Sequence, residues 1–406
     1  MKCRHCGAQD FIPFVDLGSS PPSNAYLDRD DGTDERSYPL QVYTCRSCWL
    51  VQTRDFVDRE SMFSADYAYA SSVSQSWLAH AARYVEDVSG RFGLGPASRV
   101  VEIAANDGYL LQYVAAKGIP CFGVEPTHST AALARARGIE IVEAFFGAAL
   151  GRQLAQDGRS ADLVVSNNVL AHVPDINDFV SGIAHLLKSG GVATFEFPHL
   201  VQLVAHAQFD TIYHEHYSYL SFSAVSRILE RNGLTVFDVE TLDTHGGSLR
   251  VYAQRAGGPQ AEMPSVADLR SAEIAAGVET EAFYLSFQAK ADCVRDALAA
   301  FLGDARRRGE SVAAYGAAAK GNTLLNYAGA GRDLVHYVAD RNPAKIGKFL
   351  PGSRIPVVAE QDLKAGRPRW VLVLPWNLQS EITTQLSYVR DWGGQFVVAV
   401  PELKIL

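Results

Sequence analysis

From about residue 76 the chain alternates short apolar runs with turns and amphipathic stretches. SWLAHAARYVEDVSGRFGL (76–94) repeats its apolar positions at helical intervals and predicts an amphipathic helix. SRVVEIAANDGYLLQYVAAKG (98–118), IPCFGVEPTHSTAALARARG (119–138) and IEIVEAFFG (139–147) each open on an apolar strand, and ADLVVSNNVLAHVPD (161–175) and GGVATFEFPHL (190–200) continue the series. Strands alternating with helices predict an α/β fold with a mostly parallel sheet, whose ligands bind at the carboxyl ends of the strands. Beyond residue 284 the pattern repeats. YLSFQAKADCVRDALAAFLGDARRRG (284–309) reads as a long helix, and SVAAYGAAAKGNTLLNYAG, LVHYVADRNPAKIGKFLPGSRIPV, WVLVLPWN and QFVVAVPEL form a second βα series.

The loop after the first strand is Glu102-Ile103-Ala104-Ala105-Asn106-Asp107-Gly108, whose small residues let a ligand approach the backbone. Glu125 ends the second strand, 17 residues after Gly108. An acid there can take the ribose hydroxyls of an adenosine cofactor. A nicotinamide cofactor favours GxGxxG, which this loop lacks. A shorter acidic loop suits S-adenosylmethionine, which has no pyrophosphate to cradle.

The first 70 residues differ. Cys3-x-x-Cys6 and Cys45-x-x-Cys48 are two CxxC knuckles with 38 residues between them. Each such turn aims two thiolates at one ion, and a pair of them predicts a closed structural zinc site. DLGSSPPSNAYL and RDDGTDERS, between the knuckles, offer little to build a core, so the metal is expected to supply stability. His5 is a spare ligand candidate; Cys121 and Cys293 stand alone in apolar settings and read as packing residues.

The 406 residues suffice for two or three domains, and 48% hydrophobic with 20% charged positions is the range of a folded soluble protein. A net charge of −8 argues against broad nucleic-acid or anionic-membrane binding. No apolar run approaches the ~20 residues of a membrane span, and the start, MKCRHCGAQDF, lacks the apolar core of a signal peptide. A cytoplasmic protein is expected. The sequence leaves its oligomeric state open, a monomer included.

Residues 99–256 resemble a class I S-adenosylmethionine-dependent methyltransferase. VVEIAANDG resembles the first motif, FGVEP the second, and NNVLAHVPD the fourth-strand motif, while FSAVSRILERNGLTVFDVETLDTHGGSLRVYAQR resembles the family's ending of helix, sixth strand and antiparallel hairpin strand. The departure is Ala104, where the family usually has glycine. The resemblance implies that Glu102, Ala104, Asn106, Asp107, Gly108, Glu125, Pro126, Asn167 and Asn168 hold the cofactor. The chain as a whole resembles a narrower family, the C-methyltransferases of nucleotide-linked keto-deoxysugars. These join a four-cysteine zinc region, a methyltransferase core and a C-terminal Rossmann-like domain, and carry a YHEHY segment after the fifth strand. The corresponding boundaries here are 1–70, 71–260 and 261–406.

That family's chemistry makes a carbanion beside a ketone before the methyl arrives, so it needs a base at the carbon and donors at the ketone oxygen. The resemblance implies these roles for TIYHEHYSY (211–219) and the residues facing it. His216 is expected to be the general base, with Glu215 orienting it or holding a sugar hydroxyl. Tyr213, of the same parity as Glu215 in an extended stretch, is expected beside them. His172 stabilises the enolate oxygen or is the alternative base, and Tyr67 or Tyr69 donates to the ketone. His214, Tyr217 and Tyr219 are expected to be structural. A second metal at His214-Glu215-His216 is disfavoured, because consecutive side chains on a strand diverge.

In the C-terminal series, Tyr315-Gly316-Ala317-Ala318-Ala319-Lys320-Gly321-Asn322 is a small-residue strand-to-helix turn suited to an anion. Tyr315, Ala317, Lys320, Gly321, Asn322, Asp340, Asn342 and Lys345 are the expected contacts of a thymidine-diphosphate-linked sugar, with Lys348 as a further lysine. Methylation of oxygen or nitrogen in another substrate is the alternative.

Overall fold

The computed structural model describes residues 1–28, 35–54, 56 and 71–406. Tyr67 and Tyr69 lie outside the described residues. The chain begins with three antiparallel strands, β1 (Phe11–Ser20), β2 (Tyr38–Cys45) and β3 (Val51–Thr53). A helix, Gln75–Phe92, follows; Ser74 caps its start by accepting from the Trp77 N–H, and Gly93 in the left-handed region ends it.

The central sheet holds β4 (Val100–Ile103), β5 (Cys121–Val124), β6 (Ile141–Val142), β7 (Ala161–Asn167) and β8 (Leu187–Pro198). The short β9 (Ser218–Tyr219) leaves this sheet and pairs with β3, so the N-terminal sheet has the order β1-β2-β3-β9. β10 (Leu234–Leu242) and β11 (Ser248–Arg255) return to the central sheet, whose order is β10-β11-β8-β7-β4-β5-β6. β11 runs antiparallel between β8 and β10, and the other pairs are parallel. With helix Phe222–Arg231 before β10, the expected helix, sixth strand and hairpin strand are all present.

The third sheet contains β12 (Val312–Tyr315), β13 (Val338–Asp340), β14 (Val357–Ala359), β15 (Trp370–Val373), β16 (Gln395–Val398) and β17 (Lys404–Ile405). Its order is β14-β13-β12-β15-β16-β17, parallel except for the last pair. The expected long helix is split at Ser286 into Glu281–Leu285 and Phe287–Arg307. Among the described residues no helix is long and apolar enough to cross a membrane.

The segment between the knuckles corrects one expectation. It forms β1 and β2 and buries Ile12, Phe14, Val15, Leu17, Leu40 and Val42 in one core with Tyr284, Phe287 and the third sheet. Phe14 stacks on Phe287 with ring centroids 4.5 Å apart. Cys3, Cys45, Cys48 and Leu50 belong instead to the core of the central sheet. The N-terminal region thus lacks a core of its own because it shares the cores of both larger sheets.

Candidate active site

The segment 211–219 turns at His214-Glu215 before entering β9, so it is not extended throughout as expected. The His216 N–H donates to the Tyr213 carbonyl at 2.9 Å, closing a tight turn over His214 and Glu215. Strand parity therefore fails: Tyr213, Glu215 and His216 all line one large cavity, and His214 turns away to donate through Nε2 to the Tyr38 carbonyl at 3.3 Å. The Tyr213 and His216 rings lie 4.0 Å apart, and the His172 ring meets His216 edge-on at 4.5 Å. Tyr217 and Tyr219 are buried, and Arg4 covers the Tyr217 ring at 4.7 Å.

The hydrogen bonds fix the state of His216. Its Nδ1 lies 2.7 Å from the Thr211 carbonyl, which can only accept, so Nδ1 carries the hydrogen. Neutral His216 keeps its lone pair on Nε2, the arrangement a general base requires. Burial holds this imidazole well below its usual value, reinforced by His172, His245 and Lys320 and opposed by the Thr211 bond. Burial likewise pushes His172 down to about 4, against a hydrogen bond to the Glu215 backbone. Both rings are neutral near pH 7. Glu215 accepts from Asn24 Nδ2 at 2.7 Å.

On one side of the cavity stands the loop after β4. Ala104 has φ of +55° and Asn106 of +49°, and Ala104, Asn106, Glu125, Pro126, Asn167 and Asn168 line the wall. Positive φ at Ala104 explains why glycine is usual there. The Glu125 carboxylate is fixed by the N–H groups of Asn106 (3.0 Å) and Thr127 (2.9 Å), while burial raises its pKa. Phe145, Phe146, Val169 and Phe179 add an apolar wall. A carboxylate for ribose hydroxyls beside an apolar slot for adenine fits S-adenosylmethionine. Glu102, Asp107 and Gly108 do not line the cavity. Glu102 is buried beneath the loop and pushed well up by burial. Asp107 accepts from the Ser72 hydroxyl and pairs with Arg137 at 3.2 Å, tying residue 72 to the loop. Gly108 lies against helix His128–Ala136, where a Cβ would sit 3.3 Å from the Ala134 Cβ.

On the other side stand Tyr315, Lys320, Asp340, Asn342 and Lys345. Asp340 repeats the construction of Glu125. It ends β13 beside β12 as Glu125 follows β5 beside β4, and its carboxylate accepts from the Ala317 N–H (2.6 Å) and the Asn342 N–H (2.7 Å). In both cases one donor comes from the first loop and the other lies two residues on. Lys345 donates to the Ala317 carbonyl at 2.6 Å, and burial lowers its pKa. Ala317, Gly321 and Asn322 stay off the cavity wall. Ala317 serves through its backbone, a Gly321 Cβ would sit 2.8 Å from Leu374, and Asn322 donates to the Ser23 carbonyl at 2.6 Å. Lys348 pairs with Asp28 at 3.0 Å.

The sequence comparisons give three family matches. Residues 3–63 match the zinc binding domain family Methyltransf_13, residues 76–239 a methyltransferase domain family, and residues 243–401 the family described as C-methyltransferase C-terminal domain. The chain is 35% identical over 406 residues to C-methyltransferase NovU of Streptomyces niveus, covering 100% of this chain and 96% of that one. This chain belongs to the S-adenosylmethionine-dependent C-methyltransferases. A shorter match, 28% over 118 residues, joins 27% of this C-methyltransferase to 48% of a ubiquinone biosynthesis O-methyltransferase of Sinorhizobium medicae. Among solved structures, magnesium protoporphyrin IX methyltransferase from Synechocystis is 17% identical, with a TM-score of 0.32 over 43% of this chain and 79% of that one.

The four cysteines of this C-methyltransferase converge. All four sulfurs lie within 4.8 Å of one another, with Cys3–Cys48 at 3.5 Å and Cys6–Cys45 at 3.6 Å. Four thiolates about 2.3 Å from a tetrahedral ion are spaced by about 3.8 Å, so the set fits structural zinc. His5 is not a ligand; its Nδ1 meets Asn177 Oδ1 at 3.1 Å. Among the described residues no other such group of metal-ligating side chains occurs, and the His214-Glu215-His216 turn is not one.

Several cavity residues had no sequence signal. His80 and Arg250 hold the fully buried Glu196, at 2.9 and 2.7 Å. Burial would raise Glu196, but these partners outweigh it and keep its carboxyl below the usual range. Trp77 stacks on His80, and Asn168 Nδ2 lies 3.3 Å from His245 Nε2. Asn24 comes from the SSPPSNAYL stretch, whose residues are expected only to offer little to build a core.

Proposed function

We propose that this C-methyltransferase acts on C3 of a nucleotide-linked 4-keto-deoxysugar, thymidine-diphosphate-linked, in deoxysugar biosynthesis. The observation that carries the nucleotide-sugar reading is the paired construction of Glu125 and Asp340, both lining one cavity. Two strand-end acids, each fixed by two backbone N–H groups, suit two riboses: one of the methyl donor and one of a nucleotide-linked acceptor. The cavity volume of about 1040 Å³ exceeds the usual range of about 300–1,000 Å³ for a small-molecule site. His216, His172, Tyr213 and Glu215 line the same cavity.

S-adenosylmethionine, when bound, supplies an electrophilic methyl group. The residues of the chain make its target nucleophilic. His216 Nε2 takes the C3 proton, the C–H electrons flow into the enolate, and Thr211 holds the imidazolium that forms. Glu215, fixed by Asn24, takes a sugar hydroxyl. His172 and Tyr213 pack against the ring of the base, and burial keeps it neutral. None of the six cysteines is in a disulfide, which supports a reducing, cytoplasmic setting.

The test uses a thymidine-diphosphate 4-keto-2,6-dideoxysugar in deuterated solvent. The expected result is deuterium at C3 without the donor and a mass gain of one CH2 with it. Neither outcome across a panel of keto-sugar nucleotides would overturn the reading. Methyl transfer without exchange would favour an oxygen or nitrogen acceptor.

A further inference from the structure

Lys320 is set apart from the other cavity lysine. Lys345 lies beside Asp340 and Glu215, bonded to a backbone carbonyl. Lys320 is the second residue of helix Ala319–Tyr327 and lines the cavity. Its Nζ donates to Asn377 Oδ1 at 2.6 Å and lies 4.8 Å from the centre of the Trp376 ring. Trp376 Nε1 in turn donates to Asp210 Oδ2 at 2.7 Å. Asp210 is fully buried, and its Oδ1 has no hydrogen-bond partner among the described residues.

Asp210 and Thr211 are consecutive in one 3₁₀ turn, Phe209–Thr211. Thr211 holds the base through His216 Nδ1. Asp210 anchors the Trp376 platform under the Lys320 ammonium and is its acidic counter-charge. One short turn thereby positions a base and a cation toward the same space. A base that makes an enolate needs a cation or donor where the charge collects.

We propose that Lys320 is a catalytic residue, the electrophile that holds the enolate oxygen while His216 takes the adjacent proton, and that Asp210 positions it. This rests on the enolate reading above. The C–H bond breaks, its proton goes to His216 Nε2, its electron pair forms the enolate C=C, and the carbonyl pair moves to oxygen. There a Lys320 N–H donates without leaving nitrogen. The assignment moves Lys320 from the diphosphate to the reacting centre. Electrostatics agree: Lys320 acts on His216, His245 and Asp210, and burial lowers its own pKa while Asp210 opposes that.

The test compares the full chain with Lys320→Met, Lys320→Arg and the paired Asp210→Asn/Lys320→Met, which avoids leaving Asp210 as an unpaired buried charge. Two quantities are read. One is donor-independent C3 deuterium exchange of the keto-sugar nucleotide. The other is the Kd of thymidine diphosphate. Removing one such donor costs about 10²–10³ in rate. Exchange is expected to fall by that factor in both methionine variants and to recover partly in Lys320→Arg, with Kd changed less than threefold. Exchange within threefold of the parent, or a tenfold loss in Kd with unchanged exchange, would overturn the proposal in favour of a diphosphate anchor. A parent protein that exchanges no keto-sugar nucleotide would instead overturn the enolate reading itself and this proposal with it.

Discussion

Replacing His172 with glutamine should remove a measurable part of the acid sensitivity of this fold. Burial holds the His172 imidazole down to about 4, whereas in the unfolded chain it titrates near ~6.5. For a lowered imidazole the unfolded state binds the proton first. The contribution to stability is therefore complete above pH ~6.5 and is lost as pH falls toward 4. At pH 5 the unfolded side chain is protonated and the folded one is not, a gap of about 1.5 pH units, or about 2 kcal/mol at ~1.36 kcal/mol per unit. Buried carboxyls titrate the other way: burial raises Asp210 to about 6, so it gains stability as pH falls. The informative quantity is thus the difference between parent and variant.

At pH 7.5 His172→Gln should be the less stable protein, because it loses the edge contact with His216. At pH 5.0 its deficit should be about 2 kcal/mol smaller, enough to cancel or reverse it. Urea unfolding followed by tryptophan fluorescence at both pH values measures this. A parent–variant difference that is the same at both pH values within ~0.5 kcal/mol would refute the assignment of His172 as a buried neutral imidazole.

His216 carries a rate prediction of the same sign. Its base form is the active one and its imidazole is held well below the usual value, so the acid limb of kcat/KM should lie below pH ~6.5. An acid limb above 7 would show that the base is not this buried group. Cys6→Ser should lose zinc by atomic absorption and several kcal/mol of stability, since such sites contribute folding energy directly. Because β3 holds β9, amide hydrogen exchange at Tyr219 should accelerate as well; unchanged exchange there would separate the metal from the turn. Ala104→Gly should hold or raise the urea midpoint. A left-handed alanine costs about 1–2 kcal/mol, while glycine gives back about 0.4–1 kcal/mol through the unfolded chain; a clear loss of stability would contradict the +55° φ.

The sequence made the central sheet legible because each of its parallel strands is a short apolar run with a turn after it. Glu125 and Asp340 could be placed for the same reason: both stand at the ends of such runs. The four cysteines were legible from spacing alone. The turn at His214-Glu215 was not, since TIYHEHYSY has the composition of a strand and only the Tyr213–His216 hydrogen bond reveals the bend. Glu102 and Asp107, expected from the motif to hold the cofactor, do not line the cavity. One faces the core beneath the loop and the other is occupied by Ser72 and Arg137. Asn24, His80 and Arg250 left no pattern because their partners lie 191, 116 and 54 residues away.

Those distant contacts explain why a site for one methyl transfer draws on the whole chain. β3 and the His216 turn meet directly: the Thr53 hydroxyl donates to the His216 carbonyl at 3.3 Å and its N–H to the Tyr217 carbonyl at 3.1 Å. Gln52, one residue earlier, donates to the Cys3 sulfur at 3.3 Å, so the cysteine cluster and the catalytic turn are joined through two adjacent residues. The same N-terminal region then runs across the cavity. Asn24 fixes Glu215, and Tyr26 donates to the Ala317 carbonyl, the acceptor that Lys345 also uses. Each of these hydrogen bonds is individually worth only about 1 kcal/mol. Their value lies in geometry, because a base and a donor shifted by about 1 Å can lose 10²-fold in rate. The metal-ligating region is therefore best understood as the brace that sets the distance between His216 and the residues of the third sheet.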